Sequence, residues 1–293
     1  MTQPRYPLKQ GHLSEEHQRL LRHVVPTDGP TKRAGSRMEN TLLANLSERI
    51  RRIERPLATV HGVLPFGITE IDRTLPGGGL ARGALHEILG TGGDEEDGAL
   101  AAAFGAGILG RLSRMADGIV LWCLPRPDIY GCGLAAHGLD PAHVVLVRAL
   151  RDAEILWAME EGLHAPGIAA VVGEVGTLPA VASRRLQLAA ERSGITAFLL
   201  RRWYDGGQAV RERALPNVAV TRWRIAALPS CPMRDEPGVG RPRWRIELLR
   251  CRGGEPACWE MEVPDATDHV SLAATLANRP AAPVTAERFR RAG

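Results

Sequence analysis

Beyond position 32 this chain of 293 residues contains no lysine. Its two lysines, Lys9 and Lys32, sit near the N-terminus, and the other 35 of its 37 basic residues are arginines. Any mechanism that needs a lysine in the body of the protein is excluded. No run of about 18 apolar residues occurs, so no membrane-spanning helix is predicted. The N-terminus also lacks the apolar core of a secretion signal. No C-x-x-C is present, and the five cysteines (Cys123, Cys132, Cys231, Cys251, Cys258) have no metal-ligand spacing with histidines. They read as reduced thiols in a cytosolic protein without a metal site.

What is present is ordinary for a globular chain: 44% hydrophobic and 24% charged residues, in a length that suits one large domain or two smaller ones. The net charge of +4 first suggests a nucleic-acid partner. Its distribution weakens that suggestion. Residues 1–37 hold seven basic and three acidic side chains, while 38–293 hold 30 of each. The whole excess therefore lies in a polar, proline-punctuated leader expected to be disordered, and Met38 is an alternative start.

Residues 39–54 form an amphipathic helix with Leu42, Leu43, Leu46, Ile50 and Ile53 on one stripe. Arg49, Arg51, Arg52 and Arg55 crowd its C-terminal end, where the helix dipole favours cations. Leu42, Leu46, Arg49, Ile50 and Ile53 are the candidate partner-binding residues if the helix is an arm rather than a packed element. From 57 to 264 helices alternate with strands, and then only strands remain. Parallel strands are predicted at 84–89, 118–124, 143–147, 168–172 and 195–200, four of them nearly continuous apolar runs, with helices at 98–115, 128–137, 152–164 and 180–193. Strands at 218–228, 243–251 and 257–263, joined by Gly/Pro-rich turns, predict an antiparallel meander. The fold class is α/β, a mainly parallel sheet flanked by helices and extended by the meander. Residues 265–293 read as a tail with a short helix near 270–276.

The turn after the first strand, Gly90-Thr91-Gly92-Gly93-Asp94-Glu95-Glu96-Asp97-Gly98-Ala99-Leu100, has the setting of a phosphate-binding loop. Gly90, Gly92, Gly93 and Gly98 keep its glycine character, and Gly93 and Gly98 have the G-x-x-x-x-G spacing. Ala99, however, stands at the lysine position, and Leu100 at the position of the magnesium-binding hydroxyl. Four carboxylates in the loop would repel a triphosphate. Glu174 comes one residue late for the usual metal-orienting acid. No cofactor, no catalytic residue and no ATP hydrolysis are expected.

Leu75-Pro76-Gly77-Gly78-Gly79-Leu80-Ala81-Arg82-Gly83, followed by Glu87-Ile88-Leu89-Gly90, resembles the start of a RecA core. Phe66-Gly67-Ile68-Thr69-Glu70-Ile71-Asp72 upstream resembles the same family's approach. Pro127-Asp128-Ile129-Tyr130 and Ser183-Arg184-Arg185-Leu186-Gln187-Leu188-Ala189-Ala190-Glu191 downstream sharpen the likeness. With the decayed phosphate loop, this ordered set over roughly 39–264 is similar to the ImuA family, RecA-like accessory proteins of bacterial translesion synthesis. The resemblance implies a RecA-like core and a cytoplasmic, non-enzymatic adaptor in SOS mutagenesis, associated with the nucleoid when active. Its implied partners are an ImuB-type relative of the Y-family polymerases, RecA and, indirectly, an error-prone DnaE-type polymerase. An active RecA-like ATPase is disfavoured by the missing lysine. A SulA-like division inhibitor is disfavoured by the N-terminal helix and the long meander.

The segment 201–217 reads as a loop in which Arg201, Arg202, Trp203, Tyr204, Arg211 and Arg213 are candidate contacts for single-stranded DNA, arginines for phosphates and aromatics for bases. The alternative is a solvated loop with Trp203 turned inward. On the later strands Arg222, Arg224, Arg243 and Arg245 alternate with Trp223, Ile225, Trp244 and Ile246. Period-two geometry then sets an aromatic face against an arginine face.

Overall fold

The computed structural model describes residues 58–91, 94–203, 206–231, 240–263 and 271–272. The chain divides after Ile53, and these residues all belong to the second unit, Glu54–Gly293. The leader and the 39–54 helix, with Leu42, Leu46, Arg49, Ile50 and Ile53, lie outside the described residues.

A short helix α1 (Ala58–His61) opens the unit, followed by β1 (Val63–Leu64), α2 (Thr69–Thr74) and β2 (Leu80–Ala81). β1 and β2 pair antiparallel, apart from the main sheet. Then come β3 (Leu85–Gly90), α3 (Asp94–Ala116), β4 (Ile119–Leu124), α4 (Gly131–Ala136), β5 (Val144–Arg148), α5 (Asp152–Gly162), β6 (Ile168–Val175), α6 (Ala180–Ser193) and β7 (Thr196–Arg201). The last part holds α7 (Gly206–Ala214), β8 (Thr221–Cys231), β9 (Arg241–Cys251), β10 (Ala257–Glu262) and β11 (Ser271–Leu272). Nine of the strands form one sheet in the order β11-β10-β9-β8-β3-β7-β6-β4-β5. From β5 through β8 every neighbouring pair is parallel, and from β8 through β11 every pair is antiparallel.

The sequence accounts for this order of layers. β3, β6 and β7 are buried at almost every position because helices cover both of their faces. One face carries Ile88, Trp122, Val172, Phe198 and Leu200, with Phe104, Ile108 and Leu109 of α3 packed on them. The other carries Leu85, Cys123, Val171 and Leu199 beneath Ile155 and Met159 of α5 and Leu186 of α6. On the meander the alternation sends Trp223, Trp244 and Trp259 into the α3 side. The opposite face is arginine-rich but internally paired, since Arg224 bonds Glu247, and Arg243 and Arg245 both bond Glu260. Gly194 ends α6 at φ 78°, a left-handed cap for which glycine is suited.

Four elements differ from the sequence expectation. α3 starts at Asp94 rather than 98. β6 runs on to Val175, which places Glu174 inside the strand. The expected loop over 201–217 contains α7, whose Gln208-to-Ala214 stretch is mostly good helix formers and ends ahead of Pro216. Finally, Ser271 and Leu272, within the short helix expected near 270–276, pair instead with Glu262 and Met261, so the edge of β10 extends the sheet by one more strand.

Candidate functional site

In an open sheet of parallel strands covered by helices, ligands bind outside the C-terminal ends of the strands. Here those ends are Gly90 of β3, Leu124 of β4, Val175 of β6 and Arg201 of β7. A nucleotide would need backbone amides after β3, a cation for its phosphates and an acid for magnesium.

The loop after β3 is short, because α3 takes over at Asp94. Gly90 is the last residue of the strand, and Gly92 and Gly93 lie outside the described residues. Gly98 is buried within α3, Ala99 is exposed, and Leu100 packs on the core of the α3 face. The loop carbonyls are engaged from below. Arg213 of α7 donates to the Gly90 and Thr91 oxygens at 3.0 and 2.9 Å.

Glu174 lies on the α3 face of β6, the same side as Trp122, whose indole N–H donates to its Oε1 at 2.9 Å. Its other oxygen accepts from Arg202 at 2.7 Å, and the same guanidinium binds Asp128 at 2.9 Å. The carboxyl is 1% exposed. Burial pushes its pKa upward, against the pull of the Arg202 charge and the hydrogen bonds from Arg202 and Trp122. A carboxylate in that state is matched by an internal cation.

On the other face Glu87, Arg201, Glu212 and Arg222 form a second network. Arg201 is buried between Glu212 at 2.9 Å and Glu87 at 3.6 Å, and it donates to the Gly176 carbonyl. Glu87 also binds Arg222 and the Asn217 amide. Burial holds the Arg201 guanidinium below its ordinary pKa, with Glu87 opposing. The guanidinium carbons of Arg201 and Arg213 each lie over the Trp203 ring, 5.1 Å from its centre, and the indole N–H donates to the Gly176 oxygen at 2.7 Å. Asp152 accepts from the Gly176 and Thr177 amides, which fixes the turn after β6.

The crevice is thus lined by four carboxylates, Glu87, Asp128, Glu174 and Glu212, interleaved with four guanidiniums, Arg201, Arg202, Arg213 and Arg222. Their charges balance. Such an arrangement can hold the strand ends rigidly in register, but it offers no surplus positive charge to a triphosphate. Among the described residues no group of three His, Cys, Asp or Glu is placed to hold a metal ion.

The candidate DNA contacts divide. Arg201, Arg202, Trp203 and Arg213 converge here and are spent on internal partners; Arg211 is exposed on α7; Tyr204 lies outside the described residues. The residues that sequence reasoning passed over are Glu87, Glu212 and Asn217. Glu87 did carry a signal, as a charge inside an apolar strand, because a buried carboxylate requires a partner.

No protein-family model matches the chain. Over 216 residues it is 41% identical to Protein ImuA of Caulobacter vibrioides, in strain NA1000 / CB15N and equally in strain ATCC 19089 / CIP 103742 / CB 15. The aligned region covers 73% of this chain and 88% of that relative.

Proposed function

The chain belongs to the ImuA family, and from that membership we propose that it is a non-enzymatic adaptor in damage-induced mutagenic translesion DNA synthesis. It binds an ImuB-type relative of the Y-family polymerases and RecA, and through them serves an error-prone DnaE-type polymerase. On this reading the RecA-like core is kept as a scaffold, and the protein acts in the cytoplasm at the nucleoid.

The single observation that carries the non-enzymatic part is the balanced arginine–carboxylate network at the strand ends. Arg202 neutralises Glu174, the nearest substitute for a metal-orienting acid. With no lysine after position 32, nothing replaces the lost phosphate contact.

The test is affinity purification of the tagged full-length chain from DNA-damaged cells, combined with an ATPase assay on the purified protein. The polymerase relative and RecA should be recovered, and phosphate release should match that of buffer. Steady ATP turnover, or recovery of neither partner, would overturn the reading.

A further inference from the structure

The nine-stranded sheet ends on one side at β5, which pairs with β4 and with no other strand among the described residues. Val144-Val145-Leu146-Val147 is as apolar as a central strand, yet it is not enclosed like one. Val145 and Leu146 point to opposite faces of the sheet and are 47% and 48% exposed, so the cover is incomplete on both faces. Leu150, just past the strand, is exposed as well. A proline, an inward charge or a bulge commonly protects a free edge, and β5 has none of them: its single charge, Arg148, closes the strand, and its register with β4 is unbroken.

One bond fixes which backbone groups face outward. The Ala149 amide donates to the Leu124 carbonyl at 3.1 Å. Successive residues of a strand turn their N–H and C=O groups to opposite sides, so Val145 and Val147 bond β4, and Leu146 turns both groups away from the sheet. The two ends of the edge differ in charge. Asp140 precedes it, largely exposed and 3.4 Å from His143. Arg148 ends it, exposed, with a guanidinium that makes no hydrogen bond or ion pair among the described residues. A strand laid alongside answers the outward polar groups and covers the apolar side chains together.

We infer that β5 pairs with β5 of a second copy of this chain, antiparallel about a two-fold axis at Leu146, so that the two sheets become one. Leu146 of each copy then exchanges N–H···O=C bonds with Leu146 of the other, as a hydrogen-bonded antiparallel pair requires. On the opposite face Val145 falls against Val147 of the second copy, so the central cross-strand pairs are all apolar. Charge selects the direction. The antiparallel arrangement brings each Arg148 to the end of the other strand that carries Asp140, whereas a parallel one sets Arg148 beside Arg148. The same residues serve both copies, which closes the contact at a dimer instead of a filament. The paired stretch is short, which gives a weak dimer with a dissociation constant of about 1–100 μM. The inference is independent of the adaptor reading, to which it adds two partner-binding surfaces per assembly.

The experiment is sedimentation of the purified full-length chain over about 1–200 μM, joined to disulfide trapping. The wild type should pass from monomer to dimer mass across that range. Leu146→Lys should weaken the dimer about tenfold or more, and Leu146→Ile should leave it near wild type. For trapping, Leu146→Cys and Val145→Cys are each made with Cys132→Ser, which removes an exposed native thiol. The two positions are almost equally exposed, but only position 146 faces itself, at a Cα separation of about 5.5 Å, while the two copies of position 145 lie beyond the roughly 7 Å reach of a disulfide. Mild oxidation should therefore link the Leu146→Cys chain into a covalent dimer and leave Val145→Cys largely unlinked, a result that does not depend on how well Leu146→Lys folds. A monomer throughout the range, as when another segment of the same chain takes the edge, overturns the inference. So does a dimer that Leu146→Lys leaves intact, or equal linking at the two positions. Recovery of the polymerase relative from cells tests the adaptor reading separately.

Discussion

Arg202 reaches from the end of β7 to within 2.7 Å of Glu174, on the next strand of the sheet, and neutralises that buried carboxylate. The pair is nearly enclosed, so its two halves are not equivalent to exposed charges. Glu174→Ala strands a buried guanidinium and should cost about 3–5 kcal/mol, toward the lower end because Asp128 remains. Glu174→Gln should cost less, since its carbonyl still accepts from Trp122. Urea unfolding at neutral pH measures both, and equal midpoints for wild type and Glu174→Ala would show that the pair carries no stability.

If the adaptor reading is right, installing the missing nucleotide residues will not bring the site to life. Ala99→Lys with Leu100→Thr supplies the two side chains, but four acids still occupy the first positions of α3. Calorimetry with ATP and magnesium should detect no binding tighter than about 1 mM, for the variant or the wild type. Micromolar binding by either would contradict it.

Much of the sheet was legible because most of its parallel strands are runs such as Val120-Leu121-Trp122-Cys123-Leu124, which suit a sheet covered on both faces. The tryptophans of the meander were legible for a different reason: period-two spacing assigns Trp223 and Trp244 to one face wherever the strand sits. α7 was obscured by Gly206 and Gly207, which read as loop although good helix formers follow them. β11 was obscured because two residues carry no periodicity, and only the free edge of β10 makes them a strand.

In the site, the absence of lysine could be read directly. The arginine–carboxylate network could not, since its members are far apart in sequence: Glu87 and Arg222 are separated by 135 positions, Glu174 and Arg202 by 28. No local spacing encodes such a pair; the strand order of the sheet brings the members together.

Trp203 offers a separable test of stability and nucleic-acid contact. Buried against Arg201 and Arg213 and bonded to Gly176, it should cost about 3–5 kcal/mol when replaced by alanine. Arg211→Ala, on the exposed side of α7, should change stability by less than about 0.5 kcal/mol. Any phosphate contact made through α7 would therefore show as a weaker, less salt-dependent titration of single-stranded DNA by Arg211→Ala at unchanged unfolding midpoint.

His86 makes the fold acid-sensitive. It is fully buried, and its Nε2 faces the Ala81 carbonyl at 2.8 Å, so that nitrogen carries the proton. Nδ1 lies 2.7 Å from the Thr221 hydroxyl, which in turn accepts from the Trp223 indole. Burial, opposed by the Ala81 hydrogen bond, lowers its pKa to about 4. Below pH 6.5 the unfolded chain takes up a proton that the folded chain refuses, so the stability from the neutral ring is complete above 6.5 and is lost as pH falls toward 4. The loss should reach about 3 kcal/mol. Glu174, whose pKa is raised, acts in the opposite sense, which makes the comparison with His86→Gln the informative one. The variant should lose less stability between pH 7 and pH 4 than wild type in urea titrations at each pH.

Two glycines one turn apart on α3 should respond oppositely to the same substitution. In a helix interior Gly→Ala ordinarily gains about 1 kcal/mol, because alanine loses less backbone freedom. Gly107→Ala should gain most of that, since its new methyl meets only one oxygen at ordinary contact distance. At Gly110 a Cβ would sit 2.0 Å from the Gly138 carbonyl oxygen and 2.6 Å from its carbon, both backbone atoms that cannot turn aside. Gly110→Ala must therefore push α3 away from the turn after α4, and the overpacking penalty of about 1–3 kcal/mol exceeds the propensity gain. Thermal melts of the two variants should move in opposite directions, up for Gly107→Ala and down for Gly110→Ala. A shift of the same sign in both would mean that α3 does not pack against the 138–139 turn as closely as the structure has it.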